Sequence, residues 1–291
     1  MNARGSRWAL TAGVLLLGFV GVASALGPLL YGVSSTHPVG APLLEPGLGH
    51  PLGTDGIGRD VLALVLAGGL PTLLVAVIAG VGTIILAALV GVLAGWFGGA
   101  VEALLMRAVD VVMIVPKLPL LILVASYAQL GVLGVALIIA ATSWAPSARV
   151  LRAQTLSLRR RPHLLAAQGF GAGTRYMVRR HLVPELALLL IAGTVSAAGR
   201  SVLMLAGLAF LGIGDPTQVN WGGTMRSALN AQALFFTNAW SWWLLPPALA
   251  LATLLLGLTL AGIGLDTFVN PRMSRHATLD RVLADPTTEA A

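Results

Sequence analysis

The 291-residue chain is too apolar and too weakly charged to be a single soluble globule. Hydrophobic residues make up 57% of it, charged residues 10%, and its mean hydropathy is +0.88, a composition typical of multi-span membrane proteins. The chain has no cysteine, which excludes disulfide frameworks, thiolate metal sites and cysteine nucleophiles. Its net charge of +7 needs no nucleic-acid partner, because basic cytoplasmic loops beside anionic lipid explain it.

Six apolar stretches predict an all-α polytopic membrane protein with about six transmembrane helices. A span needs about 20 apolar residues, whereas the apolar region of a signal peptide has roughly 7 to 15. We therefore expect the first stretch to be retained as a span. The predicted spans are Trp8–Tyr31, Leu70–Trp96, Met106–Tyr127, Val132–Leu151, Pro184–Leu211 and Trp242–Phe268.

The distribution of arginine predicts that both termini are cytoplasmic. The N-terminus, the segment 149–180 with its eight arginines and the tail face the cytoplasm by the positive-inside rule. The predicted regions are 1–31, the N-terminus and first span; 32–69, an extracytoplasmic loop; 70–270, a five-helix core with a cytoplasmic loop at 152–183; and 271–291, a cytoplasmic tail. The polar tail is expected to be a short surface helix or disordered.

Enzyme and metal motifs are missing from the sequence. It contains no G-x-x-x-x-G-K-[ST] phosphate loop, no H-E-x-x-H zinc motif and no G-x-S-x-G nucleophile elbow. The five histidines form no i, i+4 pair on one helix. We expect no catalytic residue, no metal site and no cofactor bound by this chain.

The segment from Arg159 to Pro184, RRRPHLLAAQGFGAGTRYMVRRHLVP, is the most informative cytoplasmic stretch. Pro162 suits the first position of a helix, so about two turns are predicted over His163–Phe170, ending near Gly171. Two interpretations stay open on the residues alone: an interfacial helix on lipid, or a peg for a groove in a soluble partner. The peg would be a partly apolar knob formed by Leu164, Leu165, Ala167 and Gln168.

Five collinear stretches carry a family resemblance. They are HPLGTDGIGRDVL at 50–62, LLMRAVDVVMIVP at 104–116, AAQGFGAGTRYMVRRHLVP at 166–184, LAFLGIGDPTQVNWGGTM at 208–225 and WWLLPPALALATLLLGLTLAGIGLDTFVNPR at 242–272. In this order they resemble the inner-membrane permease subunits of binding-protein-dependent ABC importers. The likeness is strongest to the C-type permease of the dipeptide, oligopeptide and nickel subfamily. It implies the MetI-like fold of type I importer permeases and a transport subunit without its own ATPase site.

The resemblance also implies partners and residue roles. The expected partners are a homologous second permease, two ATPase subunits that bind ATP and Mg, and an extracytoplasmic solute-binding protein, in a bacterial or archaeal plasma (inner) membrane. In that family the cytoplasmic loop docks into the ATPase subunit, and the matching positions here are Leu165, Ala166, Ala167, Gly171 and Pro184.

The turn at 50–62 is expected to form a structural collar at the outer mouth that contacts the binding protein. Thr54 and Asp55 are predicted to cap its backbone, and Arg59 with Asp60 to begin a short helix leading to Leu70. The collar residues are His50, Asp55, Arg59 and Asp60.

Charged and acidic positions depart from the family pattern. Three positions where the resemblance leads us to expect an acid are apolar, namely Leu165, Leu205 and Ile263. Conversely, Lys117 and Arg200 fall in or near spans, where a charge costs at least about 2.5 kcal/mol at the bilayer centre. They either snorkel or pair with the partner permease, or they form a cationic patch for a substrate carboxylate. The translocation-path candidates are Lys117, Arg200 and Met204.

The expected function is import of a small solute, di- or oligopeptides first and nickel or a metal chelate as the alternative. An ATP-independent secondary transporter would need an intramembrane relay of acids or histidines. Only Asp110 and Asp266 approach this, and both lie near span ends; Asp110 with Arg107 is predicted to be structural. A membrane scaffold, the third alternative, gives no reason for the cytoplasmic knob.

Overall fold

The computed structural model describes residues 3–128, 130–215 and 217–269, and this part of the chain is mostly helical. Its only β-type pairing is one isolated bridge between Thr54 and Asp60. The predicted tail at 271–291 lies outside the described residues. The helices are α1 Ala3–Tyr31, α2 Val61–Phe97, α3 Gly99–Ile114, α4 Lys117–Ala128, α5 Val132–Ser143, α6 Ala145–Arg159, α7 Pro162–Gly169, α8 Thr174–Met177, α9 Val183–Phe210, α10 Trp221–Asn230, α11 Ala233–Phe236 and α12 Leu245–Val269, with π-helical turns Val178–Leu182 before α9 and Trp240–Leu244 before α12.

The described helices supply four to six candidate membrane spans, which confirms the prediction of an all-α polytopic protein. Four are continuous, and two more arise if each of two bent helix pairs counts as one span. The continuous spans are Gly5–Tyr31, Val61–Phe97, Thr174–Phe210 and Trp240–Leu265; the bent pairs are α3 with α4, at 76°, and α5 with α6, at 49°.

The third and fourth predicted spans are not single helices. Val115 adopts extended backbone because the ring of Pro116 disfavours helical geometry in the residue before it. The second break lies at Trp144, where Pro146 occupies the first turn of α6. The predictions of unbroken helices over Met106–Tyr127 and Val132–Leu151 are therefore wrong.

Helix α2 is the central element of the bundle. It begins at Val61 and runs unbroken past Leu70, so the separate short helix predicted before Leu70 does not exist. Its 37 residues extend about 55 Å, and it packs against α1, α3, α5, α6, α9, α10 and α12. Gly91 and Gly95 let α6 approach: a Cβ on Gly91 would lie 2.5 Å from the Ala148 carbonyl oxygen.

Two buried clusters at opposite ends of α2 support the predicted sites. The cluster at the C-terminal end contains Trp96 and joins α2, α6, α7 and the start of α9. The cluster at the N-terminal end contains Val61 and joins α2 to α10, α11 and the tryptophans before α12. The loop at 152–183 and the 50–62 turn are thus held about one α2 length apart.

Candidate functional site

The segment 159–184 contains a short helix that begins and ends as its sequence predicts. Pro162 occupies the first turn of α7, and the helix continues to Gly169. The backbone N–H of Phe170 donates to the Ala166 carbonyl at 3.0 Å, and that of Gly171 to Gln168 at 2.9 Å. Gly171 has φ +82°, a conformation that side-chain-bearing residues rarely adopt, so it lets the chain leave the helix.

Of the two neighbouring leucines of α7, one is buried against the bundle and the other is exposed. Leu164 is 0% exposed and packs with Leu158, Met177 and Leu182, so its predicted place in the exposed knob is wrong. Leu165 is 52% exposed. Consecutive residues on a helix point about 100° apart, which places the two leucines on different faces.

The exposed face of α7 includes residues from both turns. Ala166 is exposed and Ala167 half-buried, while Phe170 is 92% exposed. Sequence reasoning did not single out Phe170. A large aromatic residue between two glycines, Gly169 and Gly171, was nevertheless a visible sign of an exposed contact residue. Leu165 and Ala166 on α7 and Phe170 at its C-terminal end form an exposed apolar surface, which we call the docking face.

Glu185 fastens the start of α7 to the start of α9. Its carboxylate accepts a hydrogen bond from Arg161 Nη1 at 2.7 Å, and its other oxygen lies 2.9 Å from His163 Nε2. It follows Pro184, in the first turn of α9 after the π-helical turn. Sequence reasoning missed this acid, which lies four residues after the basic run that ends at His181.

Two of the three arginines at 159–161 interact with other side chains of the protein. The guanidinium of Arg159 lies 5.9 Å from the centroid of the Trp96 ring, within cation–π range. Arg161 forms the ion pair with Glu185. The predicted loop at 152–183 is also partly helical, because α6 continues to Arg159.

Two ion pairs connect α3 to α6 beneath the loop. Glu102 pairs with Arg152, and Asp110 pairs with Arg149. Asp110 was expected to act with Arg107, the nearer arginine in sequence, but its partner is on another helix. Both pairs hold α3 against α6, the helix that precedes α7.

The turn at 50–62 closes around two fully buried carboxylates. Asp55 Oδ1 accepts hydrogen bonds from the backbone N–H groups of Ile57 and Arg59, at 2.9 and 2.8 Å, and Oδ2 accepts from Arg59 Nε at 2.8 Å. Thr54 accepts from the Leu44 N–H and donates to the Ala41 carbonyl. The prediction that Thr54 and Asp55 cap this turn is confirmed.

Asp60 joins three segments at one point. Its Oδ1 accepts from the Ala63 N–H at 2.9 Å and caps α2. Its Oδ2 accepts from the Tyr31 hydroxyl at the end of α1 and lies 2.9 Å from His50 Nδ1. The four collar residues are therefore brought together as two pairs, His50 with Asp60 and Arg59 with Asp55.

Glycines of the collar lie against tryptophans of the last span. A Cβ on Gly53 would lie 2.8 Å from Trp242 Cδ1, and one on Gly56 would lie 2.8 Å from the Trp243 ring. Two of the five stretches that carry the family resemblance therefore pack on each other. Sequence reasoning did not connect them.

A polar cavity of about 440 Å³ opens between the collar and the α9–α10 connection. Arg59, Asp215 and Arg226 bring charge to its lining. Thr217 donates to Asp215 through its hydroxyl and its N–H, which holds the pKa of the Asp215 carboxyl below its usual range. This acid is therefore ionised at neutral pH.

The three predicted path residues lie on α4 and α9. Lys117 begins α4 at the break of a bent span, and α4 packs against α9, which carries Arg200. Arg200 lines a cavity of about 350 Å³ between α9 and α12 that also includes Ile263. Met204 is half-buried, and its sulfur lies 4.0 Å from the Ser143 hydroxyl.

The histidine and acidic side chains are spread over several helices and loops. Among the described residues, no group of three or more His, Asp or Glu side chains is placed to hold a metal ion. The acidic side chains that form ion pairs in this part of the chain do so with arginine or histidine.

Comparisons with known proteins agree on one family. The model of a family described as "Binding-protein-dependent transport system inner membrane component" matches residues 87–275. A putative peptide permease protein of Brucella suis is 33% identical over 258 residues, covering 85% of this chain and 84% of the relative. The oligopeptide transport system permease protein OppC of Mycobacterium tuberculosis is 34% identical over 260 residues, covering 88% and 87%.

Proposed function

The chain belongs to the family of binding-protein-dependent transport system inner membrane components, and we propose from this premise that it forms the translocation path of an ATP-driven importer of small peptides. Membership confirms the resemblance seen in the sequence and makes the chain a multi-pass membrane protein with a transport role. Peptide is the favoured substrate class because the relatives compared are named peptide permeases. Nickel or a metal chelate is the alternative cargo.

The exposed apolar face of α7 is the observation that carries the proposal. Leu165 and Phe170 project into solvent from a helix whose base is fixed by Leu164. A homologous second permease, two ATPase subunits and an extracytoplasmic solute-binding protein would complete the importer, and the docking face would fit a cleft in an ATPase subunit. ATP and Mg belong to those subunits, and this chain binds no cofactor. Leu165 replaces the expected acid, so the docking contact is apolar at that position.

The anchoring of α7 supports a mechanical role. Leu164, Ala167 and Pro184 connect the docking face to the base of α9, and the ion pair to Glu185 adds a second connection. When the ATPase subunits close on ATP, the displacement of α7 therefore moves α9 as a rigid element. Bound cargo is then exposed alternately to the two sides of the membrane.

The collar and the loops around it face the binding protein in this proposal. The loops at 32–69 and 212–241 lie outside the cell membrane, and both termini are cytoplasmic, following the arginine distribution. Because Asp55 and Asp60 are buried and bonded within the chain, they stabilise the surface that the binding protein contacts rather than contacting it themselves. The importer operates in a bacterial or archaeal plasma membrane.

Purification and uptake test the proposal. The tagged chain, expressed with its candidate partners, should co-purify with ATPase subunits, and proteoliposomes of the complex should accumulate peptide only with ATP and the binding protein. Ala166→Trp should block uptake by obstructing the docking face, whereas Leu15→Trp on the exposed side of α1 should not. Uptake driven by an ion gradient without ATP would instead support a secondary transporter.

A further inference from the structure

Lys117 and Arg200 lie on two helices that are in contact, α4 and α9. Arg200 lies about one turn past the midpoint of α9. Lys117 is the first residue of α4, at the 76° bend between the two halves of a candidate span. The helices that carry them pack on each other: about one turn after each cation, Leu121 of α4 and Met204 of α9 belong to the same buried cluster.

Among the side chains that the structure describes, no carboxylate lies within ion-pair distance of either cation. Asp55, Asp60, Glu102, Asp110 and Glu185 pair with other bases, and the ion pairs in this part of the chain include neither Lys117 nor Arg200. The N-terminal end of α4 adds the positive end of its dipole beside Lys117. All three contributions have the same sign.

The surface around Arg200 is open rather than packed. Ser196, Arg200 and Leu203 follow each other at helical spacing on α9, and all three are exposed. The adjoining cavity of about 350 Å³ includes the hydroxyls of Ser196 and Thr259. A charge facing lipid hydrocarbon at this depth is strongly disfavoured, whereas one facing a wet path is tolerated. This exposed row of residues on α9 is therefore suited to line a water-filled translocation path.

We propose that Lys117 and Arg200 form a carboxylate-binding point in the translocation path, which receives the C-terminal carboxylate of a peptide in transit. This inference rests on the proposed function. A carboxylate has two oxygens, and the ammonium and the guanidinium can each donate a charge-assisted hydrogen bond to them. Every peptide with an unmodified C-terminus carries this group, so such a point recognises peptides regardless of their side chains.

Paired substrates test the inference in proteoliposomes of the complete complex. The measured quantity is the ratio of ATP-dependent uptake of a tripeptide to uptake of the same tripeptide with an amidated C-terminus. The double variant Lys117→Met, Arg200→Met should lower this ratio about tenfold relative to the wild type. Lys117→Arg and Arg200→Lys should preserve it. The binding protein is the same throughout, so its own preference cancels in the comparison.

A matched control separates the site from net charge. Arg107 is exposed on α3 and in no described ion pair, and Arg107→Met should leave the ratio unchanged. An unchanged ratio in the double variant with uptake preserved overturns the inference. The inference is also overturned if the second permease no longer co-purifies with the double variant or with Lys117→Met. That result would show that the cations pair with an acid on the partner permease. Absence of ATP-dependent uptake by the wild type refutes the proposed function instead.

Discussion

Replacing Leu164 by alanine should release α7 from the bundle. The change removes three carbons from a fully buried side chain, and at about 0.8 kcal/mol for each buried group the transfer contribution is about 2.4 kcal/mol. The cavity that remains raises the loss to about 3 kcal/mol. Because α7 is a two-turn helix held mainly by this contact, the loss should fall on local opening of α7.

Amide hydrogen exchange of the purified protein measures this opening directly. A loss of about 3 kcal/mol corresponds to roughly a hundredfold faster exchange within α7. Leu165→Ala is the matched control, since it removes the same atoms from the exposed neighbour and should change exchange less than about threefold. Equal exchange in the two variants would refute the assignment of Leu164 as the anchor.

Three further substitutions test the loop and the collar. Gly171→Ala should destabilise the α7 segment by about 1–2 kcal/mol, because Gly171 has left-handed backbone geometry. Gly169→Ala is the control: this residue lies within α7 with open space around it, so the change should stabilise the segment by about 0.5–1 kcal/mol. Amide hydrogen exchange of α7 measures both effects. Asp60→Ala should lower the free energy of unfolding by about 2–4 kcal/mol, because it removes the α2 cap and leaves the Tyr31 hydroxyl and His50 Nδ1 without their partner. Thermal unfolding followed by tryptophan fluorescence measures the loss, and Asp60→Asn should be less destabilising. Gly56→Val should lower the unfolding temperature, because its Cβ would lie 2.8 Å from an indole ring, and an unchanged temperature would contradict that packing.

Local signals in the sequence predicted much of the fold. Apolar run length placed the spans, since the bilayer thickness sets the length of a helix that crosses it. Pro162 and Asp60 marked the starts of α7 and α2, because a proline and a capping carboxylate act on their own helix turn. These features depend on near neighbours and need no knowledge of the packing.

The features that the sequence did not predict depend on distant contacts. Leu164 and Leu165 are the same residue type side by side, and only the position of α7 on the bundle buries one of them. Glu185 lies 24 residues from Arg161, and Asp110 lies 39 residues from Arg149. No local pattern connects such pairs.

The broken spans show how a local signal can be outweighed by a larger pattern. Pro116 and Pro146 were visible in the sequence, but the mostly apolar stretches around them favoured unbroken helices. The structure bends at or beside both prolines because each limits the backbone near its ring. The first of these breaks positions Lys117 at the beginning of a half-helix.

The contact between α7 and an ATPase subunit is the central claim, and a single thiol measures it. The chain has no cysteine, so Ala166→Cys introduces one exposed thiol on the docking face, and Leu15→Cys introduces one on α1. In membranes containing the assembled importer, a short thiol-to-amine crosslinker should join the Ala166→Cys chain to an ATPase subunit and leave the Leu15→Cys chain unjoined. The absence of that product from an Ala166→Cys complex that still imports peptide would contradict coupling through α7.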